Sequence, residues 1–204
     1  KFTYNKDKVE MYYNVFSEKL GIAKGGLAFL DEKQHADTLV DILVSEAIKT
    51  SEIEGEFLSR KDVISSIKKN IGMPSDSSAV RDIRAKGIAE MVSVVYKDYE
   101  SLLTEEKLFH WHKLMFQKNT TVKAGCWRTH KESMQVVSGR LGREVVRFVA
   151  PPSSSVSREM SLFIKWFNET APGGKKEIKF AALRSAIAHL YFESIHPFED
   201  GNGR

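Results

Sequence analysis

Apolar positions recur along most of the chain at intervals of three and four, the spacing that places them on one face of an α-helix. The clearest case is residues 31–54, where Leu39, Leu43 and Ala47 form one apolar row with Val40, Val44 and Ile48 beside it. Asp31 and Gln34 stand at capping-box spacing ahead of that row, and Gly55 is a fitting stop behind it. The same rhythm predicts a helix over residues 7–20, ended by Gly21, and a short one opened by Ser59 and Asp62 with Val63, Ile64 and Ile67 inward. Further helices are expected over 79–99, from Thr104 to about 117, and over 155–168 between Pro151-Pro152 and Pro172-Gly173-Gly174. A last helix spans 177–195. Its Phe180, Leu183, Ile187, Leu190 and Tyr191 form an apolar stripe, and Ala181, Ala182, Ser185, Ala186 and Ala188 fill much of the rest. Small residues on several faces let neighbours approach closely, so this helix is expected in the core.

One region changes period. Met134-Gln-Val-Val137 and Val145-Val-Arg-Phe-Val149 are β-rich, with the turn signals Ser138-Gly139 and Leu141-Gly142 between them, which predicts a β-hairpin. Gly72-Met-Pro-Ser-Asp-Ser-Ser78 predicts a loop. The expected fold is therefore mostly α with one small hairpin. A boundary near residue 75 would separate an N-terminal helical lobe, 1–75, from the core, 76–204, without making them independent domains.

Composition narrows the partners. The 204 residues are 42% hydrophobic and 28% charged, ordinary values for a globular chain. No run approaches the roughly 20 apolar residues that span a membrane, and Lys1-Phe-Thr-Tyr4 shows no secretory pattern. Cys126 is the one cysteine, so it reads as a small apolar residue and no internal disulfide can form. These features point to a cytoplasmic protein with no membrane partner. A net charge of +4 permits an anionic ligand, but no dense Lys/Arg run argues for nucleic acid. His110 and His112 diverge on a helix, and His35, His130 and His189 have no partner at ligand spacing, so no zinc site is expected.

The chemistry gathers where the last helix runs into His196-Pro-Phe-Glu-Asp-Gly-Asn-Gly-Arg204. Pro197 disfavours the α conformation at His196, so the helix should end there and leave the imidazole at the mouth of a loop. Gly201 and Gly203 flank Asn202, and all three residue types tolerate positive φ. Such a loop can aim successive N–H groups at one point and bind an anion. Arg204 adds a permanent cation suited to phosphate. Asp200 adds the hard oxygen that Mg²⁺ takes beside substrate phosphates. Phe198, next to Pro197, would anchor the loop in apolar surroundings. Separately, Glu52, Glu54 and Glu56 crowd a predicted helix C-terminus, where the helix dipole disfavours negative charge.

The nine-residue segment resembles the signature of Fic-domain proteins, His-Pro-Phe-x-Asp/Glu-Gly-Asn-Gly-Arg/Lys, and matches it at every position present. Gly125-Cys-Trp-Arg128, the hairpin and Ala150-Pro-Pro152 resemble the segment that precedes the signature in that family. Thr50-Ser-Glu-Ile-Glu54-Gly55 resembles its inhibitory Ser/Thr-x-x-x-Glu-Gly/Asn motif, here N-terminal to the core. The resemblance implies a Fic-type helical bundle whose hairpin is a flap. Met134, Val136, Val137, Val145 and Val146 of that flap would hold a target segment by strand addition.

It further implies a protein adenylyltransferase, with ATP as co-substrate and Mg²⁺ held by Asp200. Phosphates would lie over Gly201, Asn202, Gly203 and Arg204, with Asn202 orienting the α-phosphate. His196 would accept the proton of a Ser, Thr or Tyr hydroxyl on a target protein, which could be another copy of this chain; a homo-oligomer is compatible with this. Glu54, with Thr50 and Gly55, would block seating of the γ-phosphate. The family's second signature arginine and following helix would fall beyond Arg204. Transfer of UMP, phosphate or phosphocholine, removal of AMP, and a non-catalytic nucleotide-sensing or docking module are the alternatives.

Overall fold

The computed structural model describes residues 4–75, 80–117, 121–138, 143 and 145–204. Helix α2 (Glu32–Ile53) opens with the expected capping box: Asp31 accepts from the Gln34 N–H at 2.8 Å and Gln34 accepts from the Asp31 N–H at 3.0 Å. It closes with a Schellman turn, because the Gly55 N–H donates to the Glu52 carbonyl and the Glu56 N–H to the Ser51 carbonyl. That turn needs a left-handed residue at Gly55, whose φ is 79°. The chain therefore reverses sharply, and Glu54 and Glu56 stay at the helix end.

Helices α3 (Arg60–Asn70), α4 (Ile83–Asp98) and α5 (Glu105–Met115) come next, each opened by a side-chain cap from Ser59, Asp82 and Thr104 respectively. Val40, Leu43, Val44 and Ala47 of α2 pack with Val63 and Ile67 of α3, Ile88 and Ala89 of α4, and Met115 and Phe116. This core crosses residue 75 and joins α2 and α3 to α4 and the end of α5. A second core combines Leu108 of α5 with Val156, Met160 and Phe163 of α6 (Ser153–Glu169), Ile195 of α7 (Ala181–Ile195) and Phe198. Helix α5 thus touches both cores and carries the loop after α7 toward the end of α2.

Strands β1 (Gln135–Ser138) and β2 (Val145–Val149) pair antiparallel, with an irregularity between Val136 and Val137. Val136, Val137, Val145, Val146 and Phe148 are all exposed, so the hairpin stands clear of both cores with its apolar side chains in solvent. The turn signals at Gly139, Leu141 and Gly142 lie outside the described residues, as do residues 76–78 of the expected loop and residue 79, the expected start of the next helix.

Several expectations change, among them the start of α7, which is at Ala181 and not at residue 177. Helix α1 (Lys6–Leu27) does not stop at Gly21. Gly21 is not among the positive-φ glycines, so it continues the right-handed helix at the modest cost glycine carries there. Helix α4 begins later than residue 79 because Asp82 takes the capping position, accepting from the Arg84 and Ala85 N–H groups. Helix α7 is not enclosed: Ile195 is its buried residue, whereas Ala182, Ser185, Ala186 and Leu190 are exposed. Its Tyr191 ring meets Phe163 and Trp166 of α6, and Phe180 at its start meets Tyr13 of α1.

Candidate active site

His196 caps α7 in the left-handed conformation, φ 51° and ψ 61°, the one positive φ on a non-glycine among the described residues. A bulky side chain in that region is strained and must be held by its surroundings. Arg128 does much of the holding. Its Nε donates to the His196 carbonyl at 2.7 Å, one Nη to the Ile195 carbonyl at 3.3 Å, and its backbone N–H to the Pro197 carbonyl at 2.9 Å. The guanidinium also reaches the Pro151 carbonyl at 2.5 Å and the Ser153 hydroxyl at 2.8 Å, at the base of the hairpin. Burial pushes the Arg128 pKa down from its ordinary value. Aligned carbonyls at a helix C-terminus are a fitting partner for that buried cation.

Phe198 anchors the loop as its apolarity predicts. It is 3% exposed and lies among Phe109, Trp127 and Phe192. The His112 ring stacks on it, with centroids 4.0 Å apart and planes 5° from parallel. The Gly125 N–H donates to His112 Nδ1 at 2.8 Å, so Nε2 carries the proton and donates to the Asp200 carbonyl at 3.0 Å. Burial lowers the His112 pKa, which agrees with a neutral ring between a donor and an acceptor.

Asn202 is buried and its amide is used within the loop. Oδ1 accepts from the Phe198 N–H at 2.8 Å, and Nδ2 donates to the Phe198 carbonyl at 3.1 Å. It shapes the turn from inside instead of pointing its amide oxygen outward. Gly201 has φ 77°, and a Cβ there would lie 2.8 Å from the Phe116 ring, so both conformation and space require glycine. Asp200 remains open, its side chain 60% exposed. Among the described residues no three His, Cys, Asp or Glu side chains cluster to hold a metal. A single exposed carboxylate fits Mg²⁺, which keeps waters and binds substrate phosphates rather than occupying an all-protein cage.

The end of α2 meets this loop. A Cβ on Gly203 would stand 2.6 Å from the Glu54 carboxyl carbon, so the carboxylate lies directly against the cradle. Arg204 faces two other carboxylates. Arg204 Nη1 is 3.8 Å from Glu56 Oε1 and Nη2 is 3.7 Å from Asp200 Oδ2, with the guanidinium over the Phe116 ring. Gly55 turns the chain so that Glu56, not Glu54, points its charge at Arg204. Glu52 is matched by Lys49 at 2.6 Å. The Thr50 hydroxyl donates to the Glu46 carbonyl at 2.8 Å, within its own helix.

The Fic/DOC family profile matches residues 102–204, half of the sequence and all of this loop. The chain belongs to the Fic/DOC family. Residues 1–73 match a domain of unknown function, DUF4172. Solved structures of similar fold include a Fic domain containing signaling protein from Bacteroides thetaiotaomicron, with TM-score 0.67 and 21% identity over 92% of this chain and 67% of that one. A Fic family protein from Desulfovibrio desulfuricans gives 0.62 at 22% identity, covering 100% of this chain and 55% of that one. Fic-1 from C. elegans gives 0.64 at 17% identity, covering 97% and 55%. The chain thus spans between about half and two thirds of the solved chains it resembles.

The end of α2 reaches the loop after α7 through Glu54 against Gly203, and the hairpin forms where its β-rich runs predict. The roles of His112, of Arg128 as a clamp on His196, and of Glu56 emerge only from the fold. Arg128 and His112 act across 68 and 88 residues of sequence, so no local spacing announces them. The charge excess at Glu52, Glu54 and Glu56 is the one sequence signal that could have found Glu56.

Proposed function

We propose that the protein is a protein adenylyltransferase that moves AMP from ATP to a hydroxyl of a target protein. The observation that carries this reading is the setting of His196, strained and clamped by Arg128 at the mouth of a glycine loop that ends in Arg204. A pure binding module has no use for a histidine held in that way.

Phosphates would rest on the backbone of residues 201–204 and on Arg204. His196 would take the proton of the target hydroxyl, whose oxygen attacks the α-phosphorus as the bond to pyrophosphate breaks. Histidine suits the task because its ordinary pKa lies near neutral pH. Asp200 would hold Mg²⁺, which when bound offsets charge on the phosphate oxygens. The exposed strands of the hairpin, tied through Arg128 to the His196 carbonyl, would take the target segment by strand addition. Glu54 against Gly203 would compete with the γ-phosphate, which makes the resting protein self-inhibited.

Incubating full-length protein and candidate targets with α-labelled ATP and Mg²⁺ tests the reading, with intact mass as a second readout. A gain of one AMP on protein supports it. Gain of UMP, phosphate or phosphocholine from other donors, or loss of AMP from a modified target, would keep the site and change the group. No transfer in any of these, from protein that binds nucleotide, would favour a sensing module.

A further inference from the structure

Glu193 lies one turn before His196 on α7, and its Oε2 is 3.6 Å from His196 Nδ1. Its other oxygen, Oε1, is buried and has no hydrogen-bond partner in the structure. This carboxylate also stands in the last turn of a helix, where the dipole opposes negative charge. A buried, unpartnered carboxylate oxygen at a helix C-terminus is costly on both counts and calls for a compensating cation or donor. The group it faces is the imidazole at the mouth of the loop. Glu193 meets the His196 ring and Arg128 meets its carbonyl.

We infer that Glu193 is a positioning residue for His196, forming a carboxylate–imidazole pair that fixes which ring nitrogen acts as base. The inference rests on His196 serving as the base of the proposed transfer. A separation of 3.6 Å is an ion-pair distance and not a hydrogen bond, but catalytic contacts of this kind are often long without substrate and shorten in the reacting complex. With the carboxylate on the Nδ1 side, the neutral ring carries its proton on Nδ1 and presents an unprotonated Nε2 to the hydroxyl. When Nε2 takes the hydroxyl proton, the ring becomes an imidazolium, and its positive charge then pairs with Glu193 until the proton is released. The pair therefore favours the state that forms during transfer more than the resting state, which raises rate rather than substrate affinity.

Glu193→Gln keeps the volume and removes the charge, and its amide can donate to Nδ1, which draws the ring proton to Nε2. Two measurements on full-length protein decide the matter. Nitrogen-15 spectra of the histidines at alkaline pH, with the His196 signals identified by their loss in His196→Ala, report the tautomer without any need for turnover. The expected result is an Nδ1–H ring in the unaltered protein and an Nε2–H ring in Glu193→Gln. In the transfer assay, kcat should fall about tenfold or more while KM for ATP changes less than about twofold. An unchanged tautomer overturns the pairing. So does a lowered melting temperature with kcat intact, which would make Glu193 a packing residue only. If the unaltered protein shows the Nδ1–H ring but transfers nothing, the pairing stands and the transferase reading falls.

Discussion

Arg204 meets Glu56, whose carboxylate also accepts from Arg84 at 2.8 Å, so one exposed-edge carboxylate stands between two guanidiniums. Arg204 is largely buried while Arg84 is mostly in solvent. Glu56 therefore occupies charge on Arg204 that an incoming phosphate would use. Glu56→Gln should tighten ATP binding several-fold, read by calorimetric titration. The Arg84 pair is solvent-exposed and contributes at most about 1 kcal/mol, so the melting temperature should move by only a few degrees. Unchanged affinity would mean that Arg204 is free to meet phosphate with Glu56 in place.

The buried ring of His112 predicts an acid-side weakness. Its folded pKa lies below the ordinary value of 6.5 because of burial. The unfolded chain then gains a proton before the folded one does, so the stability contributed by neutral His112 is complete above pH 6.5 and is lost as pH falls through the folded pKa. Denaturant unfolding without nucleotide or Mg²⁺ should show this loss. His112→Phe should flatten that part of the pH profile. Above pH 6.5 it should also lower stability by about 2–4 kcal/mol, because the Gly125 N–H and the Asp200 carbonyl lose their partner. A profile equally steep in the variant would assign the acid effect to other groups.

What was legible in the sequence was local. The capping box of Asp31 and Gln34, the glycine stop at Gly55 and the break at Pro197 each depend on neighbours within a turn, and all three stand in the structure. The β-rich runs at Val136-Val137 and 145–149 likewise marked the hairpin. The partners of the loop were not legible, because Arg128, His112 and Glu56 reach it from three other elements. The enclosure expected for α7 failed for a related reason. Small residues permit close packing, but whether a neighbour arrives depends on the rest of the fold. Glu193 is the exception among the unforeseen residues: its spacing of three from His196 on a helix could have been read directly.

Separating base from binding residues requires two substitutions side by side. His196→Ala should abolish transfer while ATP affinity stays within about twofold, since a base acts on the hydroxyl and not on the phosphates. Asp200→Asn should instead shift the Mg²⁺ titration to higher concentration, because a neutral amide is a poorer ligand for a hard cation. Loss of ATP affinity in His196→Ala equal to its loss of rate would recast His196 as a binding residue. An unmoved Mg²⁺ curve would remove Asp200 from the metal.

Glu54 offers the sharpest test of self-inhibition. Its carboxylate lies against Gly203 and is exposed, at a helix end where negative charge is unfavourable. No core contact depends on it, and at φ −84° and ψ 7° its backbone suits glycine without strain. Glu54→Gly in full-length protein should therefore leave the melting temperature nearly unchanged. It should remove both bulk and charge from the place a γ-phosphate would take. Relieving roughly 1.4 kcal/mol of such repulsion would lower the Kd for ATP about tenfold, with a matching rise in transfer and in self-modification. A structural role predicts the opposite order, with a clear loss of thermal stability and a rate that is unchanged or reduced. Glu54→Gln separates charge from bulk: if charge alone obstructs the phosphate, Gln should release most of the activity that Gly does, whereas steric blocking would leave the Gln variant as quiet as the unaltered protein.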